Sequence, residues 1–267
     1  MGLVRTAMVG AVVRREVREI VRNRLLVSSI ILPPVLLTAA PIILVALGSK
    51  AAPDLPADQV AQLVARHPSW VGLDGRQVVM AYAISQFLAT FLILPAYIPL
   101  AIASYSIVGE KQTRSLEAVL ATPLRTSELL AGKAVAALVP GILASWLAFA
   151  TLLTLTAVLV APALLPVITD DAWLAGVLVL GPAVGLISVE AGIIVSSRVN
   201  DPRVAQQIGG IVILPILALI VLQGAGGFLV DGPAYLAGAV VLVVIAAGGL
   251  RLAVALFGRE TILTRWR

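Results

Sequence analysis

Cysteine is absent from the 267-residue chain, which excludes disulfides and thiolate metal sites. Histidine occurs once, at His67 in a polar loop. A metal site needs several convergent ligands, so none is expected. Charge is scarce: 12% of residues are Asp, Glu, Lys or Arg, against 60% hydrophobic, with mean hydropathy +1.05. A soluble domain of this length could bury a large core but would need far more polar surface. Alternation of apolar and polar residues over about ten positions, the mark of a membrane barrel strand, is missing too. What the chain has instead is continuous apolar runs of twenty residues or more, which indicate transmembrane helices.

Six spans are expected, at about 25–48, 78–108, 134–160, 173–197, 206–230 and 234–257. Each can cross a hydrocarbon core of about 30 Å at 1.5 Å per residue. The second is the longest and is expected to bend at Pro95 and Pro99, or to continue past the membrane surface. With the N-terminus in the cytoplasm, fifteen Lys and Arg fall inside and three outside, at Lys50, Arg66 and Arg76. Six acids, Asp54, Asp58, Asp74, Asp170, Asp171 and Asp231, fall outside. That asymmetry places both termini in the cytoplasm of a multi-pass protein of the cell membrane. It also accounts for the net charge of +5 without nucleic acid. Residues 1–48 are not read as a cleaved signal peptide, because the apolar stretch is too long and holds Pro33, Pro34 and Pro41.

Residues 1–24 form a cytoplasmic basic segment. In VVRREVREIVRNR, residues 12–24, Val13, Val17, Ile20 and Val21 recur at helical spacing and Arg14, Arg15, Arg18, Glu19 and Arg22 fill the rest. This predicts an amphipathic helix lying along the inner leaflet, either as a surface anchor alone or also touching a cytoplasmic partner. The outer loop, 49–77, is punctuated by Pro and Gly and is expected to hold one short helix starting near Asp58. It is too small for an independent domain.

Between the second and third spans the chain turns charged: GEKQTRSLEAVLATPLRTSELLAGK, residues 109–133. Glu110 and Arg114 are four apart, Arg114 and Glu117 three apart, both favourable on a helix. Leu116, Val119 and Leu120 fall on another face. A helix of about three turns over 110–122 is predicted, stopped by Pro123. Thr126 or Ser127 is expected to cap the next helix, with Glu128 in its first turn. The apolar face would rest on the bundle and the charged face would look into the cytoplasm. From these residues alone, a solvated loop and a docking surface are both open.

This stretch resembles the signature after the second span of permeases of the type-2 ABC exporter family. The matching positions are Gly109, Glu110, Lys111, Leu116, Glu117, Thr122, Pro123, Gly132 and Lys133. The ending LFGRETILTRWR, residues 256–267, is similar to that of sodium-extrusion and drug-efflux permeases. Members often carry Gly-Thr before the Leu-Glu pair; this chain has Arg114 and Ser115, which add charge and stiffen the helix. The resemblance implies an all-α, six-span transmembrane fold. It implies that residues 110–122 form a coupling helix, with Glu110, Lys111, Arg114, Glu117, Thr122 and Pro123 facing a cytoplasmic ATPase. No G-x-x-x-x-G-K-[ST] phosphate loop occurs in the chain, and Gly132–Lys133 lacks its upstream glycine and hydroxyl. ATP and Mg would therefore be bound by a separate ATPase subunit, and this chain would carry no cofactor of its own.

Two ionisable residues lie at membrane depth, Glu190 and Arg251, each about 10 Å from the cytoplasmic end of its span. An unpaired charge there costs roughly 3 kcal/mol. A salt bridge between them, within or between protomers, is expected; a snorkelling arginine with a protonated or wet glutamate, or a substrate or proton contact, are the alternatives. Gly181, Gly185, Ser188, Gly192 and Ser196 form a small-residue ridge suited to close helix packing, within the subunit or at a dimer seam. QGAGGFLVDGP, residues 223–233, is expected to break the fifth helix, as a re-entrant element or a plain turn.

The expectation is a permease subunit of an ATP-driven exporter, pairing with a second permease, identical or related, and with two ATPase subunits. No catalytic residue is expected. An ion-coupled secondary transporter would want several midplane carboxylates, and Glu190 is the sole acid at depth. A non-transporting membrane scaffold is the other alternative.

Overall fold

Basic residues on one side of a short apolar stripe set the first element, α1, Thr6–Arg22. In a computed structural model the described residues are 5–113, 125–160, 162–226 and 228–256, the side chains of 49–51, 159–160, 226 and 250–256 excepted. α1 ends at an elbow on Asn23, whose side-chain oxygen accepts from the backbone N–H of Leu25 and Leu26 and so starts α2, Arg24–Ala51. The Asn side chain satisfies donors that a helix start leaves free.

Beyond α2 the chain runs through α3, Ala57–Arg66, and a single 3-10 turn, Pro68–Trp70. Asp58 stands in the first turn of α3. Gly72 takes a positive φ of 89° there, which a side chain would resist. Asp74 and Gln77 then make a reciprocal capping box at the start of α4, Gly75–Phe91.

The second span continues from α4 into α5, Ile93–Gln112, with a break at Leu92. The bend expected at Pro95 and Pro99 falls one turn earlier. Pro95 has no N–H, so the carbonyl four residues before it, on Phe91, loses its helical donor. Leu92 instead bonds back to Ala89 in the tighter 3-10 manner. Pro99 sits within α5 without a break.

α6, Thr126–Leu155, returns through the bundle and ends in a π turn, Thr156–Val160. Short turns over 162–174 lead to a π segment, Ala175–Leu180, and then α7, Gly181–Ser196. The fifth span is built from α8, Pro202–Gly209, a 3-10 turn at Gly210–Ile213, and α9, Leu214–Gly226. α10, Gly232–Leu256, closes the fold, its start capped by Asp231, which accepts from Ala234 N–H.

Among the described residues, six helical segments are long and apolar enough to cross a membrane: Arg24–Gly48, Gly75–Gln112, Thr126–Val158, Asp171–Ser196, Pro202–Ala225 and Gly232–Gly249. The architecture is all-α, and no strand occurs among the described residues. The second span is the most enclosed; the first, fifth and sixth show mostly apolar surface outward, as lipid contact requires. In lipid the apolar effect gives little drive to join helices, so close approach through small residues does that work. The ridge of α7 supplies it. A Cβ on Gly185 would stand 2.8 Å from Leu138 Cδ1 and 3.2 Å from the Pro95 carbonyl; one on Gly192 would stand 2.9 Å from Ala103 Cβ. Gly181 also faces Pro95, and Ser188 turns its hydroxyl back to the Val184 carbonyl. The ridge thus lies against α5 and α6 of the same chain.

The end of the bundle opposite α1 is knitted by aromatic residues. Trp173 meets Phe91 edge-on at 5.5 Å and stacks on Phe149 at 5.8 Å. Asp170 caps Trp173 N–H and takes a hydrogen bond from Ser69 of the loop. His67 stacks on the buried Trp70 at 4.4 Å.

Candidate functional site: an ion-paired joint at one end of the spans

The stripe that α1 buries is Val12, Glu16 and Ile20, spaced by four. Of the apolar face expected from Val13, Val17, Ile20 and Val21, Ile20 joins this stripe, while Val17 and Val21 stay exposed, 40% and 69%, as residues meant for a membrane surface would. An acid holds the middle of the buried stripe because a base waits for it. Gly132 on α6 brings the two helices together, since a Cβ there would lie 2.6 Å from Val12 Cβ. One residue on, Lys133 Nζ reaches Glu16 Oε1 at 2.7 Å, Glu110 Oε2 at 2.9 Å and Ser106 Oγ at 2.7 Å. The Gly-Lys pair is therefore a close-packing residue followed by a buried cation.

Ser106 and Glu110 come from the last turns of α5. Ser106 donates to Glu16 Oε2 at 2.6 Å. Glu110 Oε1 lies 2.9 Å from an Arg15 guanidinium nitrogen, and Arg15 Nε donates to Glu19 at 3.0 Å. Glu16, Glu110 and Lys133 are each under 5% exposed. The expected outward view of Glu110 is corrected accordingly. It turns inward, where Lys133 and Arg15 compensate its charge. Ionised groups at such burial are retained only when paired.

Two further ties complete the joint. Arg5, just before α1, grips Glu128 through Nε at 3.0 Å and a terminal nitrogen at 3.1 Å, and adds its backbone N–H at 3.1 Å. Such a fork fixes direction as well as distance. The hydrogen bond and then the charge of Glu128 hold the Arg5 guanidinium above its ordinary pKa. Glu128 also accepts from Arg125 N–H, so Arg125 stands at the cap position where Thr126 or Ser127 was expected. On the other side, Lys111 Nζ donates to the carbonyls of Ser196, Ser197 and Val199 at 2.6, 2.9 and 3.1 Å. Gln112 reaches the Asn200 carbonyl at 2.9 Å. A cation over the last carbonyls of a helix answers both their unmet bonds and the negative dipole end.

The joint therefore ties α1 to the second, third and fourth spans at one end of the bundle. Among the expected ATPase-facing residues, Glu110 and Lys111 lie on it. Arg114, Glu117, Thr122 and Pro123 lie outside the described residues. Residues 110–112 form the end of α5, which Thr113 closes, and the rest of the helix expected over 110–122 lies outside the described residues. Sequence reasoning missed Arg5, Arg15, Glu16, Ser106 and Glu128 as members. One signal was available: an acid at the middle of Val12–Glu16–Ile20 asks for a partner.

Within the membrane, Glu190 is 6% exposed and its carboxylate packs against the backbone of Gly249 on α10, where a Cβ would collide with it. The side chain of Arg251 lies outside the described residues. No group of three or more His, Cys, Asp or Glu that could hold a metal ion occurs among the described residues.

Six helices among the described residues, each long and apolar enough to cross a membrane, define a multi-pass membrane protein. Residues 76–245 match the family described as ABC-2 family transporter protein, and the chain belongs to that family of transporter permeases. No curated protein matches the chain.

Proposed function

We propose that this chain is the permease subunit of an ATP-driven exporter, with a second permease, identical or related, completing the pathway and separate cytoplasmic ATPases supplying energy. The observation that carries the reading is Lys133, paired at once with Glu16 of α1 and Glu110 of α5. Force applied to the charged segment after Gln112 would reach α1 and three spans together, because buried ion pairs resist separation. The fifteen-to-three distribution of Lys and Arg supports a cytoplasmic joint and cytoplasmic termini. Glu110, Lys111, Arg114, Glu117, Thr122 and Pro123 are proposed to transmit ATPase movement. Glu190 is proposed to pair with Arg251 of the same or the second permease. The apolar spans favour an amphipathic or lipid-like cargo, and resemblance adds sodium as the second candidate.

The test is a reconstituted complex carrying Glu110→Gln, which keeps the side-chain volume and removes the charge. Cargo exported per ATP hydrolysed should fall about tenfold, a coupling loss near 1.4 kcal/mol. An unchanged ratio would show that the joint does not transmit.

A further inference from the structure

Two spans that pack together are each broken, and the breaks face one another. In the second span the break lies at Leu92, between α4 and α5. In the fourth it is the π segment Ala175–Leu180, ahead of α7. A Cβ on Gly176, at the near end of that segment, would stand 2.8 Å from Leu88 Cδ1. One on Gly181, just past its far end, would stand 3.5 Å from Pro95 Cγ. Leu88 and Pro95 bracket Leu92, so the two irregular stretches run alongside each other.

On either side of this level the packing is close. Toward the aromatic end, Trp173 joins Phe91 of α4 to Phe149 of α6. Toward the joint, Gly185 and Gly192 seat α7 on α5, and Lys111 holds the carbonyls at the end of α7. Two closely packed bodies that meet at paired breaks have the geometry of a hinge, in which a few element-terminal residues absorb the change in φ and ψ. π turns within helices recur at such places.

A third span fastens the breaks. Past the π segment, the Gly181 N–H bonds back five residues to the Gly176 carbonyl. The next bond in that register would run from residue 182 to the Val177 carbonyl, but Pro182 has no N–H to give. Trp146 of α6 supplies the donor: its indole Nε1 reaches the Val177 oxygen at 3.3 Å. Val177 is buried, 2% exposed, where a carbonyl without a donor is costly. At 3.3 Å the bond is slightly longer than usual, and the Trp146 side that is not engaged is open, so the contact restrains the break without freezing it.

We propose that the second and fourth spans share one hinge, at Leu92 and Ala175–Leu180, and that Trp146 is its latch. With the indole on Val177 the two bodies are held in line. When it withdraws, the aromatic end swings as a unit against the joint end. α10 runs past both bodies and presents Gly238 to Leu180 and Gly249 to Glu190, backbone without side chains that lets it slide. The hinge follows from how the spans pack and not from ATP coupling, so its test needs neither cargo nor partner.

Amide hydrogen exchange of the purified full-length chain reads the hinge. Trp146→Phe keeps an aromatic ring and removes the donor. Exchange over residues 175–181 should rise about fivefold, the worth of one hydrogen bond. Exchange over residues 92–96, on the other span, should rise with it, because the two breaks open together. Pro182→Ala returns a backbone donor to Val177 and should slow both segments by a similar factor. Neither variant should alter exchange around Trp173 or over residues 196–200. A rise confined to residues 175–181 would show a local bond and overturn the shared hinge. So would unchanged exchange in either variant, or an equal rise across the whole bundle.

Discussion

Lys133 of α6 and Glu16 of α1 stand 2.7 Å apart although 117 positions separate them in the chain. Both are almost wholly enclosed, and Glu110 shares the same ammonium. Removing the cation leaves two carboxylates buried together. Lys133→Met should cost about 3–5 kcal/mol of stability, read as a large drop in thermal midpoint of the purified protein. Adding Glu16→Gln to Lys133→Met should recover part of the loss, since the two residues form one network. Strictly additive losses would show that they do not interact.

The approach of α1 to α6 depends on the missing side chain at Gly132. Gly132→Ala places a methyl 2.6 Å from Val12 Cβ and Cγ1, so the helices must part. The expected cost is about 1–3 kcal/mol of overpacking. Val12→Ala on the same chain should restore most of it. Failure of that second change to help would locate the strain elsewhere.

Lys111 closes the end of α7 by binding three carbonyls. Lys111→Met should loosen residues 196–200 while leaving the opposite end of the bundle untouched. Amide hydrogen exchange reads this directly, as faster exchange around Ser197 and Asn200 with no change near Trp70. A uniform increase across the bundle would mean global destabilisation instead.

Burial and then the charge of Arg66 lower the pKa of His67 from 6.5. The sign follows from the imidazolium being the disfavoured form. The related stability is present above the unfolded pKa and is lost as pH falls through the lower folded value. His67 is the only histidine, so its ring proton titrates in NMR without assignment. The midpoint should fall below 6.5, and Arg66→Gln should raise it. A midpoint at or above 6.5 would contradict the stacked, partly buried placement on Trp70.

How far the fold was readable follows from how local each signal is. All-α architecture with six spans needs only the length of an apolar run, a property of consecutive residues. The small-residue ridge of the fourth span is equally local, but its partner is not: α5 meets it through Pro95, Leu100 and Ala103, a match between distant segments. The break at Leu92 was displaced from the prolines because the disturbed carbonyl sits four residues upstream. Glu110 was the least legible. Spacing offered Arg114, which lies outside the described residues, as its partner, and gave no sign of Lys133 and Arg15, which reach it from other helices. Charge pairing across a bundle leaves no periodic trace. Only Glu16, an acid within an apolar stripe, betrayed it.

The central claim is that transport here is powered by a nucleotide engine on another chain. The most direct measurement is cargo export from sealed vesicles holding this chain, with and without the proposed ATPase partner, and with and without ATP. Export only when the chain, the partner and ATP are all present is the predicted result. Export by this chain alone under an ion gradient, or the absence of any co-purifying ATP-binding protein, would contradict it.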